Sequence, residues 1–230
     1  MSELSPLVSC CGAARTYGSG SAAVVALEPT DCEVQPGARI ALMGPSGSGK
    51  STLLHLMAGL DEPTAGEVSW PAIGPPEALR PGPVAVIFQG PSLLPPLTVA
   101  ENVALPLILG GTTHQEAVRA GMVALELLEL AALADKLPEE ISGGQAQRVA
   151  VARAVTGEPA LVLADEPTGQ LDHASASGVV DVLLAAAAHS GAALVVATHD
   201  PAVAQRLPEQ WQMHSGRLGA EPAREAAWSR

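Results

Sequence analysis

Positive charge is scarce in this sequence. Twelve Lys and Arg stand against 24 Asp and Glu over 230 residues, a formal net charge of −12. The basic residues are scattered along the chain, so the clustered cationic surface that holds a nucleic-acid backbone is not expected. Long apolar runs are missing as well. The most apolar window, Leu183 through Ala197, is mostly alanine and is broken by His189, Ser190 and Gly191, so it cannot span a bilayer. No basic stretch followed by a long apolar core opens the chain, which argues against a cleaved secretory signal and for the cytoplasm. Cysteine is limited to Cys10, Cys11 and Cys32, an odd set without metal-ligand spacing, and reduced, partly buried thiols are expected. Glycine and proline are plentiful, at 23 and 20, but they are spread out and predict many turns without a disordered linker. The length suits one large α/β domain or a core domain with an inserted subdomain.

The strongest positive signal is Gly44-Pro45-Ser46-Gly47-Ser48-Gly49-Lys50-Ser51-Thr52, which fits the phosphate-loop pattern G-x-x-x-x-G-K-[ST] at every fixed position. The residues before it, Ala38 to Met43, read as a buried strand, and Ser51 to Ala58 read as a helix, which is the context the motif needs. Glycines let the backbone curl so that successive N–H groups and the helix N-terminus converge on the β-phosphate. Lys50 brings a mobile positive charge to the β/γ-phosphates, and the Ser51 hydroxyl can ligate Mg²⁺.

Around this motif the chain alternates strands and helices. Residues 7–43 read as strands, with turns at Gly18-Ser19-Gly20 and Gln35-Pro36-Gly37. Gly66 to Trp70 and Val84 to Phe88 read as further strands. From about Leu97 to Val155, Leu, Ala and Glu recur at helical spacing, as at Val123, Leu125, Leu127, Leu128 and Leu130, which predicts an inserted helical subdomain. The α/β rhythm then resumes with strand Ala160 to Ala164, helix Ala174 to Ala188, strand Ala193 to Ala197 and a last strand near Gln210 to His214. Leu161 to Ala164 is an apolar run ending in Asp165 and Glu166. Neighbouring side chains on a strand point opposite ways, so the two acids do different jobs. Asp165 is placed to hold Mg²⁺ through water, and Glu166 to polarise the water that attacks the γ-phosphate.

Ser142-Gly143-Gly144-Gln145 opens the helix that carries Gln147 and Arg148. Ser142 can cap the helix, the glycines expose backbone N–H groups, and the helix dipole favours an anion. This segment resembles the signature motif of ATP-binding-cassette (ABC) ATPases, and the resemblance extends from about Leu7 to Leu218. It implies an α/β phosphate-loop NTPase core, a mostly parallel sheet flanked by helices, with a small antiparallel β-subdomain and an inserted α-helical subdomain. The core is placed at about 1–90 and 156–218, the helical subdomain at about 91–155 and a tail at 219–230. Gln89 resembles the Q-loop glutamine that contacts Mg²⁺ and the attacking water and couples the site to the membrane subunit. Gly169-Gln170-Leu171-Asp172 resembles the D-loop, and His199 the switch histidine at the γ-phosphate. Tyr17, the only tyrosine, resembles the aromatic residue that stacks on adenine. His55, His114, His173, His189 and His214 match nothing in the family and read as solvent-facing or structural.

The resemblance further implies that ATP and Mg²⁺ are the ligands and that two cassettes pair head to tail. Each ATP then lies between one chain's phosphate loop and its partner's Ser142. The expected partners are a second cassette, identical or not, and a separate transmembrane permease subunit that holds the protein at the inner face of the membrane. The segments Leu93 to Leu107 and Ala164 to Gly169 resemble the lipoprotein-releasing and macrolide-exporting branch. Gln170, usually asparagine there, departs from it, as does the short Gly66 to Gln89 segment, which is nearer to nitrate, sulfonate and taurine importers and suggests a trimmed β-subdomain. The leucines around Pro95 read either as helix packing or as the groove for a coupling helix. A soluble ABC ATPase acting on nucleic acid or ribosomes, or the ATPase of a non-transport mechanotransmission complex, is the alternative. The acidic balance disfavours the first of these.

Overall fold

A computed structural model describes residues 5–169 and 171–219. Strands β1 (Val8–Tyr17), β2 (Val24–Val34) and β4 (Ala65–Ser69) form a three-stranded antiparallel sheet in the order β2-β1-β4. A second, six-stranded sheet runs β5-β6-β7-β3-β8-β9, with β3 (Arg39–Met43), β5 (Val84–Ile87), β6 (Leu161–Asp165), β7 (Ala193–Thr198) and β8 (Glu209–His214) mutually parallel. β9 (Arg217–Gly219) is antiparallel to β8 and is an element the sequence reading did not foresee.

The period-two alternation of the central strands explains how the large sheet is covered. Ile40, Leu42, Leu161, Leu163, Ala193, Val195 and Ala197 point to one face, where they meet α1 (Lys50–Met57) and the small sheet. Ala41, Val162, Ala164, Leu194 and Val196 point to the other and pack on α5 (His173–Ser190) through Val179, Val180, Leu183 and Ala187. β6 and β7 are buried along their whole length, and both accordingly read as unbroken apolar runs.

Helices α2 (Val99–Leu109), α3 (His114–Leu127) and α4 (Gly143–Val155) build a third apolar cluster that includes Val99, Val103, Leu125, Leu128, Leu130, Val149 and Ala152. α4 is shared, because its Val151 belongs to the cluster beneath the large sheet. The apolar spacing seen in the sequence overran the helix: α3 ends at Leu127, Glu129 takes a left-handed φ of 57°, and Leu128 and Leu130 reach the core from the turn beyond. Val123 and Leu127 face outward. A short helix, α6 (Pro201–Ala204), follows β7 and was likewise not foreseen. Of the tail placed at 219–230, Gly219 closes β9 and the residues from 220 onward lie outside the described residues.

Asn102 on α2 is a polar residue inside this apolar region. Its side chain is fully buried, accepts from the Leu94 N–H at 2.7 Å and donates to the carbonyls of Leu94, Leu97 and Thr98 at 2.9–3.1 Å. It thereby closes the loop between Leu94 and Thr98 onto α2. Asn102→Ala takes away the side-chain partner of the Leu94 N–H and of the Leu97 carbonyl, while the Leu94 and Thr98 carbonyls keep the backbone N–H groups of Leu97 and Asn102, and we expect a stability loss of about 1–3 kcal/mol, measured by urea unfolding.

Candidate nucleotide site

The phosphate loop joins β3 to α1, and Gly49, at φ 105°, is the residue before the helix. A Cβ on Gly49 would come within 2.5 Å of the Ala26 carbonyl, and one on Gly44 within 2.3 Å of the Met213 carbonyl, so the loop is packed too tightly for larger residues. The β8–β9 turn holds it from behind, with the Gly216 N–H donating to Ser48 O at 2.8 Å and Gly216 O accepting from the Glu28 N–H at 2.8 Å. Pro45, Ser46 and Gly47 are exposed. Ser48 is buried and its hydroxyl lacks a partner among the described residues. Ser51 and Thr52 occupy the first turn of α1.

Lys50 is only 4% exposed, and its ammonium is held inside the loop it serves. It donates to Gly44 O at 2.9 Å and Pro45 O at 3.1 Å, and pairs with Glu166 Oε1 at 3.1 Å. Glu166 follows β6 in a left-handed turn, φ 44°, an uncommon backbone for a non-glycine residue. Two backbone bonds at 3.0 Å fix that turn, Glu166 N–H to Ala197 O and Gly169 N–H to Glu166 O. The second carboxylate oxygen lies 3.1 Å from His199 Nδ1, at the end of β7. Lys50, Glu166 and His199, far apart in sequence, are thus one chain of contacts.

Asp165, the last residue of β6, points elsewhere. It is 9% exposed, and its Oδ1 is buried without a hydrogen-bond partner among the described residues. A buried, unpaired carboxylate oxygen beside a phosphate loop suits a hard divalent cation, which oxygen ligands hold best. Gln89, just beyond β5, lies near Glu166: a Cβ built on Gly169 would lie 3.3 Å from Glu166 Oε2 and 3.4 Å from Gln89 Nε2. Gln89, Gly169 and Glu166 therefore converge.

The signature segment is organised by its own helix. Ser142 Oγ accepts from the Gln145 N–H at 3.3 Å, and Gln145 Oε1 accepts from the Ser142 N–H at 2.9 Å, a reciprocal capping box. Ser142 and Gly143 stay exposed. Gly144 packs close to Ser175, which donates to Asp172 Oδ2 at 2.8 Å through its hydroxyl and to Oδ1 at 3.0 Å through its N–H. The signature turn and the start of α5 are therefore neighbours, whereas the bonds of Ser142 go to Gln145 and not to the phosphate loop. Gln170 lies outside the described residues, as does the side chain of His173.

Some ordering residues were not singled out by the sequence. Gln147, on α4 and buried, donates to Phe88 O at 3.2 Å, directly before Gln89. Arg153, further along α4, donates to Ser92 O at 2.8 Å and Pro91 O at 3.3 Å. The helix that begins at Ser142 is in this way bonded to both sides of Gln89. A glutamine and an arginine on the inward face of an amphipathic helix were the available signal.

Of the remaining expectations, Tyr17 closes β1 and is 40% exposed. The three cysteines are free, with Cys10 buried, Cys32 half-buried and Cys11 exposed, so only two are shielded as expected. His114, His189 and His214 are exposed, and His55 is half-buried with its ring 6.4 Å from that of Phe88. Of the leucines around Pro95 only Leu94 is exposed, at 43%, while Leu93 and Leu97 are half-buried.

Comparison with known proteins places this geometry. Residues 27–169 match the family described as ABC transporter. The lipoprotein-releasing system ATP-binding protein LolD of Legionella pneumophila is 42% identical over 213 residues, covering 90% of this chain and 94% of that protein. Its counterpart in Pseudomonas syringae is 39% identical over 220 residues, covering 92% and 96%. Among solved structures, the dimeric post-hydrolysis state of the ATP-binding cassette MJ0796 bound to ADP and Pi has a TM-score of 0.81 at 34% identity, covering 92% of this chain and 97% of that one. The cbiO1 protein of Clostridium perfringens, part of the cbiONQ transporter complex, reaches the same TM-score at 25% identity, covering 94% and 87%.

Proposed function

We propose, from the premise that the chain belongs to the ABC transporter family, that it is the ATP-binding and ATP-hydrolysing subunit of a transporter and drives a separate membrane subunit by closing on ATP. The observation that carries this reading is the contact chain Lys50–Glu166–His199 at the mouth of a fully matched phosphate loop. When ATP enters, the ammonium of Lys50 exchanges Glu166 and the loop carbonyls for the β/γ-phosphates. Glu166 is then released to take the proton of the attacking water, and His199 and Gln89 orient that water and the γ-phosphate. The backbone N–H groups of 44–49 and the first turn of α1, with Ser51 and Thr52, hold the phosphates, and Tyr17 supports the adenine. Mg²⁺, when bound, neutralises the phosphate oxygens. Ser51, Gln89 and Asp165 would hold it, and the unpaired Oδ1 of Asp165 is the group that fits it best.

Ser142 and Gly143 are exposed, and with Gly144 and Gln145 they serve the ATP of a second cassette, with Asp172 at the same junction. The dimeric state of the MJ0796 cassette supports this pairing. On this reading the described residues of about 1–90 and 156–218 belong to the core and about 91–155 to the helical subdomain that presents Ser142. Among the described residues no helix is long and apolar enough to cross a membrane; attachment to the inner face is assigned to the partner as part of this reading. The lipoprotein-releasing relatives favour a membrane subunit of that kind over the importer-like alternative suggested by the short segment before Gln89.

The surface assigned to that subunit lies beside Gln89. A mainly apolar cleft of about 660 Å³, lined by Val86, Phe88, Leu105 and Leu107 with Arg80 and Arg153 in its wall, runs between β5 and the ends of α2 and α4, and Leu94 stands exposed on the loop after β5. A carboxylate at position 94 would have to be desolvated on docking at a cost of roughly a few kcal/mol. Leu94→Glu is therefore expected to abolish pull-down of the membrane subunit, and retention of normal assembly would remove this surface from the contact.

A further inference from the structure

Tyr17 is followed by Gly18-Ser19-Gly20, a turn with φ of 75° and 58° at the two glycines, and its ring is substantially exposed. A side chain in that setting would ordinarily sample several rotamers, and ordering it on ligand binding would cost affinity. Here it is fixed at both ends of the ring. The hydroxyl donates to Asp61 Oδ2 at 2.7 Å, across 44 residues of sequence. The guanidinium carbon of Arg15 sits 4.7 Å from the ring centroid, within cation–π range. Arg15 and Tyr17 are two apart on β1 and so share a face of the strand. Arg15 in turn pairs with Asp61 Oδ1 at 2.7 Å, which also accepts from the Glu62 N–H at 2.8 Å. The three side chains form a closed triangle in which each touches the other two.

We propose that Asp61 and Arg15 are positioning residues for nucleotide binding, which hold the Tyr17 ring in place with one face covered by the guanidinium and the other open to a purine base. The proposal rests on the reading of Tyr17 as the adenine platform. Its physical content is a fixed spacing: Asp61 lies shortly after α1, whose N-terminus is the phosphate loop, so the triangle ties the base platform to the element that binds the phosphates. Partial burial works against the charge of Asp61, yet the Tyr17 hydroxyl, the Glu62 N–H and Arg15 together keep its carboxyl below the usual range. It stays an anionic acceptor at neutral pH. The Nε of Arg15 is buried without a partner among the described residues, so Asp61 and the ring are what place this guanidinium.

Titration with two ligands tests this, ATP and inorganic tripolyphosphate, the latter having phosphates but no base. Tyr17→Phe, which keeps the ring and removes only the anchoring hydroxyl, and Asp61→Ala are each expected to weaken ATP by roughly 2- to 10-fold, the cost of immobilising one side chain. Asp61→Asn, which retains an acceptor oxygen for the hydroxyl, is expected to recover most of the loss. Tripolyphosphate affinity should be unchanged in all three. Wild-type ATP affinity in both Tyr17→Phe and Asp61→Ala, with Tyr17→Ala weakened, overturns the positioning role and leaves the adenine platform standing. Wild-type affinity in Tyr17→Ala removes the platform and the proposal together. An equal loss for ATP and tripolyphosphate in Asp61→Ala also overturns it, because the residue would then act on the phosphate loop.

Discussion

Glu166→Gln is expected to lower steady-state ATP hydrolysis by roughly 10²–10⁴-fold while ATP still binds. Glutamine keeps the length of the side chain and an oxygen that can accept from Lys50, so the 3.1 Å contact to that ammonium has a neutral substitute. What it loses is the group that takes the proton of the attacking water. It also loses a negative charge that the γ-phosphate must otherwise approach, so the ATP-bound pair of cassettes should accumulate. Size-exclusion chromatography with ATP, run beside a hydrolysis assay, reads both effects. Hydrolysis near the wild-type rate would remove Glu166 from the role of base.

Much of this architecture was legible because it is written in local spacing. The phosphate loop carries its own strand and helix, and β6 and β7 are unbroken apolar runs because both of their faces are covered. The capping box at Ser142 is likewise local, set by Gln145 three residues on. Short or boundary features were not legible. β9 has three residues and α6 four, too few for a periodic signal, and the end of α3 depends on a left-handed Glu129 that no propensity demands. The ordering contacts were hidden for a different reason. Gln147 meets Phe88 across 59 residues, Arg153 meets Ser92 across 61 and Tyr17 meets Asp61 across 44, so only the packed fold reveals them. The catalytic grouping is intermediate: each of Lys50, Glu166 and His199 had a motif, but their contact needed the parallel order β6-β7-β3.

Ser142→Arg should abolish ATP-driven pairing without weakening ATP binding to the single chain. The exposed turn at Ser142 and Gly143 presents the backbone N–H groups of Gly143 and Gly144 at the start of α4, and these can reach a phosphate only if nothing bulky stands before them. Arginine fills that space. It also removes the helix cap, worth about 0.5–2 kcal/mol, so a thermal melt must first show that the variant is folded. Because the bonds of Ser142 among the described residues are local, to Gln145 and to the Ala146 N–H, the nucleotide site of the same chain should be untouched. A folded Ser142→Arg chain that cannot bind ATP would assign the serine to its own site.

The most direct test of ATP-driven, head-to-tail pairing mixes two damaged chains. Lys50→Ala removes the ammonium that holds phosphate in one chain, and Ser142→Arg blocks the signature turn in the other. Each variant alone can form only pairs in which both nucleotide sites are damaged. A mixed pair has one site damaged twice and one built from the intact phosphate loop of the Ser142→Arg chain and the intact signature of the Lys50→Ala chain. The measurement is ATP-dependent association of the mixture, followed by light scattering and compared with each variant by itself. The account predicts association in the mixture that neither variant shows alone, and a mixture no better than its separate components would contradict it.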